Sequence, residues 1–381
     1  MSPVPRSAET RADVAVRPRT AWLDNLRVVL IGGVITAHVA TAYIVEVDWY
    51  FEERTTSQAL TTAVTFPVFM AAIFGLGPLF LVAGMMSARS LAAKGSVVFV
   101  RTRLLRLGVP LVFFCLVVDP LADYLGHLPV SDNTLWDYAV DRTGTRDFGP
   151  MWFVAALLLY SLLYATWRAF RPRARENGQV VTTGELALFA AAIAVLSWTV
   201  WLQWSYTADT PFNANFGHWG QASVLFVLGL CCGERGWFET LTWGRARRMG
   251  WVSVAGMLLI AALAGYTLAG DDFESMAGGM HWQSAAFAAV AGVVGVAVSL
   301  WVASWFRRRW NHAGPTAQRA GRGSYAAYVI HPVVLVLISL ACLPLAAAPE
   351  VKFLIVAGIG VPATFAIGYG LTRLPGLRRV L

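Results

Sequence analysis

The first apolar segment, Trp22 to Val45, carries three ionisable residues: Asp24, Arg27 and His38. It is long enough to cross a bilayer as a helix. Ionisable groups at membrane depth are costly and characteristically face a bundle interior or a wet cavity. Arg27 and His38 lie eleven residues apart. At roughly 3.6 residues per turn that is about three turns, so the two share a face and stand about 16 Å apart along the axis. Asp24 precedes Arg27 by one turn, within pairing reach. An imidazole on such a face is a candidate general base. Two readings stand side by side. Either the face is functional, or Arg27 snorkels to the headgroups beside Asp24 while His38 is a hydrogen-bonded bundle histidine. Three polar residues on one apolar helix favour function.

Two further clusters face the same side of the membrane. In R-T-R-L-L-R, Arg101 to Arg106, the guanidiniums of Arg103 and Arg106 recur at a spacing of three where the third span begins. Such a fork suits phosphate, and it equally suits ordinary headgroup anchoring. In R-G-S-Y-A-A-Y-V-I-H-P, Arg322 to Pro332, the residues Tyr325, Tyr328 and His331 recur every three positions. They form a polar stripe near the inner mouth, and Pro332 frees a backbone carbonyl close by. On the opposite side, Trp152 follows Pro150-Met151, His218 and Gln221 sit one turn apart, and Trp282-Gln283 opens another apolar segment. Each could meet a polar acceptor or belong to an aromatic belt. No metal-ligand spacing, P-loop or G-x-S-x-G is present. Cys115, Cys231, Cys232 and Cys342 all fall in apolar stretches and read as small core residues.

The elements that must position these groups follow from composition. Of 381 residues, 57% are hydrophobic and only 14% charged, and mean hydropathy is +0.57. The chain reads as an all-α polytopic membrane protein of the cell membrane, with the bilayer as its solvent. Ten spans are expected at about 22–45, 60–88, 107–124, 151–167, 186–204, 217–233, 250–269, 284–306, 323–344 and 353–372. The second is interrupted by Pro67, Gly75, Gly77 and Pro78, and is read as one broken crossing. Residues 1–19 form a Pro- and Arg-rich tail expected to be disordered, 20–372 the membrane domain, and 373–381 a short basic tail. Alternate inter-span segments are basic or acidic, and 25 of the 30 Lys and Arg residues fall on one side. That side is the cytoplasm by the positive-inside rule, which places both termini there. The net charge of +8 is thus a topology signal, and nucleic-acid binding is not implied. The longest outer loop, about 125–150, holds Trp136 and Tyr138 and could cap a site.

Taken together these motifs resemble the membrane acyltransferase type 3 family, in particular its branch related to the glucan-biosynthesis C protein. The shared features are an Arg, ten residues, then His in span 1 (Arg27, His38) and an R-x-x-R at the inner start of span 3 (Arg103, Arg106). A P-L-F-F-like stretch (Pro78-Leu-Phe-Leu), a P-L-W-F-like stretch (Pro150-Met-Trp-Phe), a G-x-x-W-Q-like stretch (Gly278 to Gln283) and S-Y-x-x-Y-x-I-H-P (Ser324 to Pro332) complete the set. The resemblance spans about residues 20–372. The chain departs from it at Ala83-Gly-Met, at Ala155-Ala156 and at His218-Trp-Gly-Gln, which touches the acceptor side more than the donor side.

The resemblance implies transfer of an acyl group, acetyl or another short acyl, from acyl-CoA to a hydroxyl of a glycan or other small molecule. Acyl-CoA is then a co-substrate, and no permanently bound cofactor or metal is expected. His38 is implied as general base or transient acyl carrier, and the catalytic group includes Arg27, lining the track or stabilising charge, and Asp24, which orients Arg27. Arg103, Arg106, Tyr325, Tyr328 and His331 are implied on the donor side. Trp152, His218, Gln221, Trp282 and Gln283 are implied on the acceptor side. Two other classes remain open at this level: a transporter of an acylated or glycosylated compound, and a non-catalytic partner of a glycan assembly complex. The topology is directly testable. A reporter fused after Leu381 is expected to be active only as a cytoplasmic fusion, and activity restricted to the far side would overturn the span count.

Overall fold

The computed structural model describes residues 21–141, 147–171, 178–312 and 314–380. The tail at 1–19, the loop arginines Arg142, Arg146, Arg173 and Arg175, and Leu381 lie outside the described residues. Among the described residues there is no strand. Ten stretches are long and apolar enough to cross a membrane: Ala21–Tyr43, Gln58–Lys94, Ser96–His127, Gly149–Phe170, Thr183–Trp201, Phe216–Arg235, Trp243–Ala269, Trp282–Arg309, Pro315–Cys342 and Pro349–Leu371. They are spans 1 to 10 below. The protein is an all-α, multi-pass membrane protein.

The spans divide into a core and a jacket. In the most apolar window of spans 2, 6 and 8, 61% of the residues are buried inside the protein, against 17% for span 5. Span 5 and span 7 present large apolar side chains outward, among them Leu188, Val195, Leu258 and Leu259. In a bilayer this is the favourable arrangement, because the outer solvent is hydrocarbon.

Span 2 is broken as expected. It consists of Gln58–Phe74 and Gly77–Lys94, with the break at Gly75 and Leu76. A carbonyl at the break is satisfied from another helix: Gln221 Nε2 of span 6 donates to Ile73 O at 2.7 Å. Broken helices are tolerated in membranes only when neighbours supply such partners.

Span 3 corrects the sequence reading. It starts at Ser96, not near 107, and is separated from span 2 by Gly95 alone. Gly95 has φ +77, a conformation that glycine adopts without steric cost and that reverses the chain in one residue. Arg101, Arg103 and Arg106 are therefore helical residues rather than loop residues. The helix also widens into π turns at Leu104–Gly108 and Phe114–Val118, a device that recurs where side chains must be re-aimed.

Spans 2 and 6 meet along a seam of glycines. A Cβ on Gly84 would come within 2.1 Å of Phe226 O, and one on Gly229 within 2.0 Å of Leu81 O. The backbones touch because nothing stands between them, which is how membrane helices maximise packing without a hydrophobic driving force. Gly229→Val is expected to push the two helices apart and to destabilise the protein by about 1–3 kcal/mol, the usual range for overpacking. Thermal unfolding of the purified variant in detergent checks this, and an unchanged midpoint would show that the seam can relax.

Candidate active site

Spans 1 and 9 are both odd-numbered, so they run in the same direction through the bundle, and they pack together. Their starts are tied. Asn25 Nδ2 donates to Trp310 O at 2.7 Å and to His312 O at 2.8 Å, at the turn that leads into span 9. Asp24 packs against Gly321, where a methyl group would fall 2.8 Å from Asp24 Cβ. With their inner ends joined, the two helices bring His38 and His331 to the same level. His331 Nε2 and His38 Nδ1 are 3.0 Å apart, and the rings are nearly parallel, at 14°.

The third partner fixes the protons. His331 Nδ1 is 2.7 Å from Tyr328 O. This carbonyl is available because its helical partner would be the N–H of residue 332, and Pro332 has none. A carbonyl only accepts, so His331 Nδ1 carries the proton. His331 Nε2 in the neutral ring is then an acceptor, and His38 Nδ1–H donates to it. That leaves the lone pair of His38 on Nε2, outside the chain of hydrogen bonds. The arrangement holds one imidazole in one tautomer by means of another, the orienting role that a third group plays in nucleophile–base–orienter sets.

His331 therefore does not stand near the inner mouth with the arginines, as the sequence reading placed it, but in contact with His38. Tyr328 is reassigned with it. Its hydroxyl donates to Pro150 O at the start of span 4, its ring lies against His331 at 5.8 Å, and its carbonyl anchors the relay. Tyr325, one turn below, has a buried hydroxyl with no hydrogen-bond partner among the described residues.

Arg27, about three turns from His38 on the same face, is also within electrostatic range of Arg103, which in turn feels Arg106. Its contact with Asp24 is loose, at 3.9 Å. Arg103 is held by Ser87 Oγ of span 2 at 2.8 Å and lies over the Phe99 ring at 5.0 Å. Three guanidiniums from spans 1 and 3 thus gather about 16 Å below His38 along span 1, counting roughly 1.5 Å per residue. Like charges gather in this way most readily where an anion or water can screen them.

The acidic-side residues divide. Trp152 and His218 do come together, with rings 5.0 Å apart at 28°, and Tyr206 closes on His218 at 4.7 Å. This cluster joins the relay through aromatic contacts: Trp152 to Phe80, Phe80 to Phe153, and Phe153 to Tyr328. Gln221 is not part of it, because its amide is committed to the break in span 2. Trp282 is 61% exposed and leans on Tyr266 of span 7, and Gln283 beside it is half-buried. Neither belongs with Trp152 and His218.

Sequence reasoning missed one residue of the pair's surroundings. Trp49, in the segment between spans 1 and 2, stacks on His38 at 4.2 Å and 10°. The loop expected to cap a site behaves differently: Trp136 is 74% exposed, and Tyr138 packs on Tyr124 and His127. Among the described residues no group of His, Cys, Asp and Glu could hold a metal ion.

The bundle thus places a pair of hydrogen-bonded histidines at the level where spans 1 and 9 meet, and arginines nearer its basic end. The chain belongs to the Acyl_transf_3 family, the Acyltransferase domain, whose profile matches residues 20–373. It is a membrane acyltransferase, and the transporter and assembly-partner readings are set aside. No curated protein matches the chain in sequence.

The relay is testable as a unit. His38→Gln is expected to lose acyl transfer by on the order of 10²–10⁴-fold, the usual contribution of a positioned base. His331→Phe keeps a flat ring but removes the acceptor for His38 Nδ1–H, and is expected to lose a comparable factor in kcat. Turnover of His331→Phe within a few-fold of wild type, in protein shown to be folded, would mean that His38 finds its tautomer without help.

Proposed function

We propose that the protein moves a short acyl group, acetyl in the simplest case, from cytoplasmic acyl-CoA to a hydroxyl of a glycan or other small molecule. The observation that carries this is the relay from the Tyr328 carbonyl through His331 to His38, which leaves His38 Nε2 free to accept a proton. The separation of the relay from Arg27 and Arg103 supports it. A diphosphate end held by the arginines and a thioester at His38 need a spacer of about 16 Å, the scale of a pantetheine arm. The unpartnered Tyr325 hydroxyl is suited to bond an amide along such an arm.

In this reading the cytoplasmic side is the basic side, and the enzyme sits in the cell membrane. His38 Nε2 takes the proton from the acceptor hydroxyl, the oxygen attacks the thioester carbonyl carbon, and a tetrahedral oxyanion forms. The carbon–sulfur bond then breaks, and the thiolate leaves with the proton that His38 returns. His331 stays neutral and its Nε2 accepts the Nδ1–H of the His38 imidazolium. Arg27 and Arg103 bind phosphate in this scheme, and the reacting carbonyl lies beyond their reach. Trp152, His218 and Tyr206 line the approach of the acceptor.

Arg103→Ala is expected to weaken coenzyme A binding by on the order of 1.5–3 kcal/mol, the loss of one charge-assisted contact. Arg103→Lys is expected to restore only part, because a point charge replaces a planar fork. Titration of coenzyme A by calorimetry against both variants decides it. Equal affinities across the three proteins would leave the cluster as a headgroup anchor.

A further inference from the structure

Residues 44–57, between spans 1 and 2, fold back as a strap over the acidic end of the bundle. Glu53 N–H donates to Ala42 O and Thr55 N–H to Tyr43 O, each at 2.9 Å, so the strap runs beside the last turn of span 1. Side-chain ties hold it from two directions. Span 10 grips it through Lys352, only 3% exposed, whose Nζ is 2.6 Å from Glu53 Oε1, and through Glu350, which accepts from Thr55 Oγ1. Span 3 grips it through Asp119, 1% exposed, which accepts from Tyr50 OH at 2.5 Å.

Between these ties stands Trp49. Its indole lies flat on His38, as described above, and reaches over His331 at 6.0 Å and 20°. Tyr50 meets it edge-on at 4.9 Å, and its backbone N–H is bonded to Glu52 Oε1 at 3.2 Å. The indole is therefore a fixed cover on the imidazole, held by charges and hydrogen bonds that lie away from the histidines.

Water competes with any acceptor for an activated thioester, and a site of this kind must exclude it to avoid hydrolysis. We propose that Trp49 is the residue that favours the acceptor hydroxyl over water, by covering the face of the His38–His331 pair that would otherwise be open to the acidic side. The proposal rests on His38 acting as the base. With the cover in place, His38 deprotonates the acceptor, and ester and free thiol form in equal amounts. With the cover removed, water loses its proton to His38 and attacks the same carbon. The carbon–sulfur bond breaks as before, and the products are the free acid and the thiol. Trp49 is thus a positioning and shielding residue, not a group that exchanges protons.

The test uses the full-length protein in lipid nanodiscs, as wild type and as Trp49→Ala, Trp49→Phe and Lys352→Met. Two quantities are read. One is the rate at which diethylpyrocarbonate modifies His38, followed by mass spectrometry without substrate. The other is thiol released per ester formed, with acetyl-CoA and a hydroxyl acceptor. Trp49→Ala is expected to raise both by about tenfold or more. Trp49→Phe is expected to recover most of the wild-type behaviour, because a flat ring still covers the pair. Lys352→Met is expected to follow Trp49→Ala, although it touches neither histidine. Unchanged modification of His38 in folded Trp49→Ala overturns the proposal whatever the turnover. A wild-type protein that consumes no thioester would instead overturn the donor assignment, and the modification rates still decide whether Trp49 is the shield.

Discussion

The site depends on a single backbone carbonyl, that of Tyr328, which accepts hydrogen bonds and cannot donate them. In an unbroken helix it would be occupied by the amide four residues on. Because that residue is Pro332, the carbonyl is left over in an apolar interior, where an unpaired polar group costs on the order of 1–3 kcal/mol. His331 Nδ1 satisfies it at 2.7 Å, and the assignment of every other proton follows. His331 can only accept at Nε2, His38 can only donate at Nδ1, and the basic nitrogen of His38 faces away from both. One substitution in the backbone pattern thus specifies the tautomers of two rings on different helices.

Such a relay works only if the two helices cannot slide, since a shift of one residue along span 1 would move His38 by about 1.5 Å and break a 3.0 Å contact. The packing supplies that constraint at both ends. Asn25 bonds to two carbonyls ahead of span 9, and Tyr328 is pinned to Pro150 of span 4. Behind them, the glycine seam between spans 2 and 6 makes a rigid backing on which Phe80 and Phe153 rest, and these in turn hold the Tyr328 ring. The jacket spans contribute bilayer contact and little to this geometry.

Much of this was legible in the sequence, and the limits have physical causes. Span number and the break in span 2 could be read because hydropathy, charge segregation and Pro/Gly interruptions are local signals. Arg27 and His38 on one helix face followed from spacing, and the freed carbonyl from Pro332. What could not be read was which helices are neighbours. The spacing of His331 from Arg322 in its own span says nothing of its partner, which is 293 residues away. The spacing of Arg27 and His38 shows the face they share but not that cross-span packing sets Arg27 near Arg103. The start of span 3 was misread because charged residues lower hydropathy, so Arg101 to Arg106 looked like a loop. Trp49 gave no signal at all: it lies in an acidic connector, and only the tertiary ties to Lys352 and Asp119 turn it back over the bundle.

The histidine pair also shows how a base, the role proposed for His38, can be oriented without bringing charge to membrane depth. A carboxylate is the commoner partner for an orienting role, but an ionised carboxylate in a hydrocarbon-clad bundle is expensive unless it is paired. A second histidine orients the first while both remain neutral, and its own N–H donates to a carbonyl that needs a hydrogen-bond donor in any case. The carboxylates near this end of the bundle are used differently. Glu53 and Glu350 face Lys352 and Thr55, and Asp119 faces Tyr50. All three act on the strap, and each has a hydrogen-bonding or charged partner there. In the proposed mechanism charge therefore positions the cover, a neutral relay positions the base, and neither requires an unpaired ion beside the reacting groups.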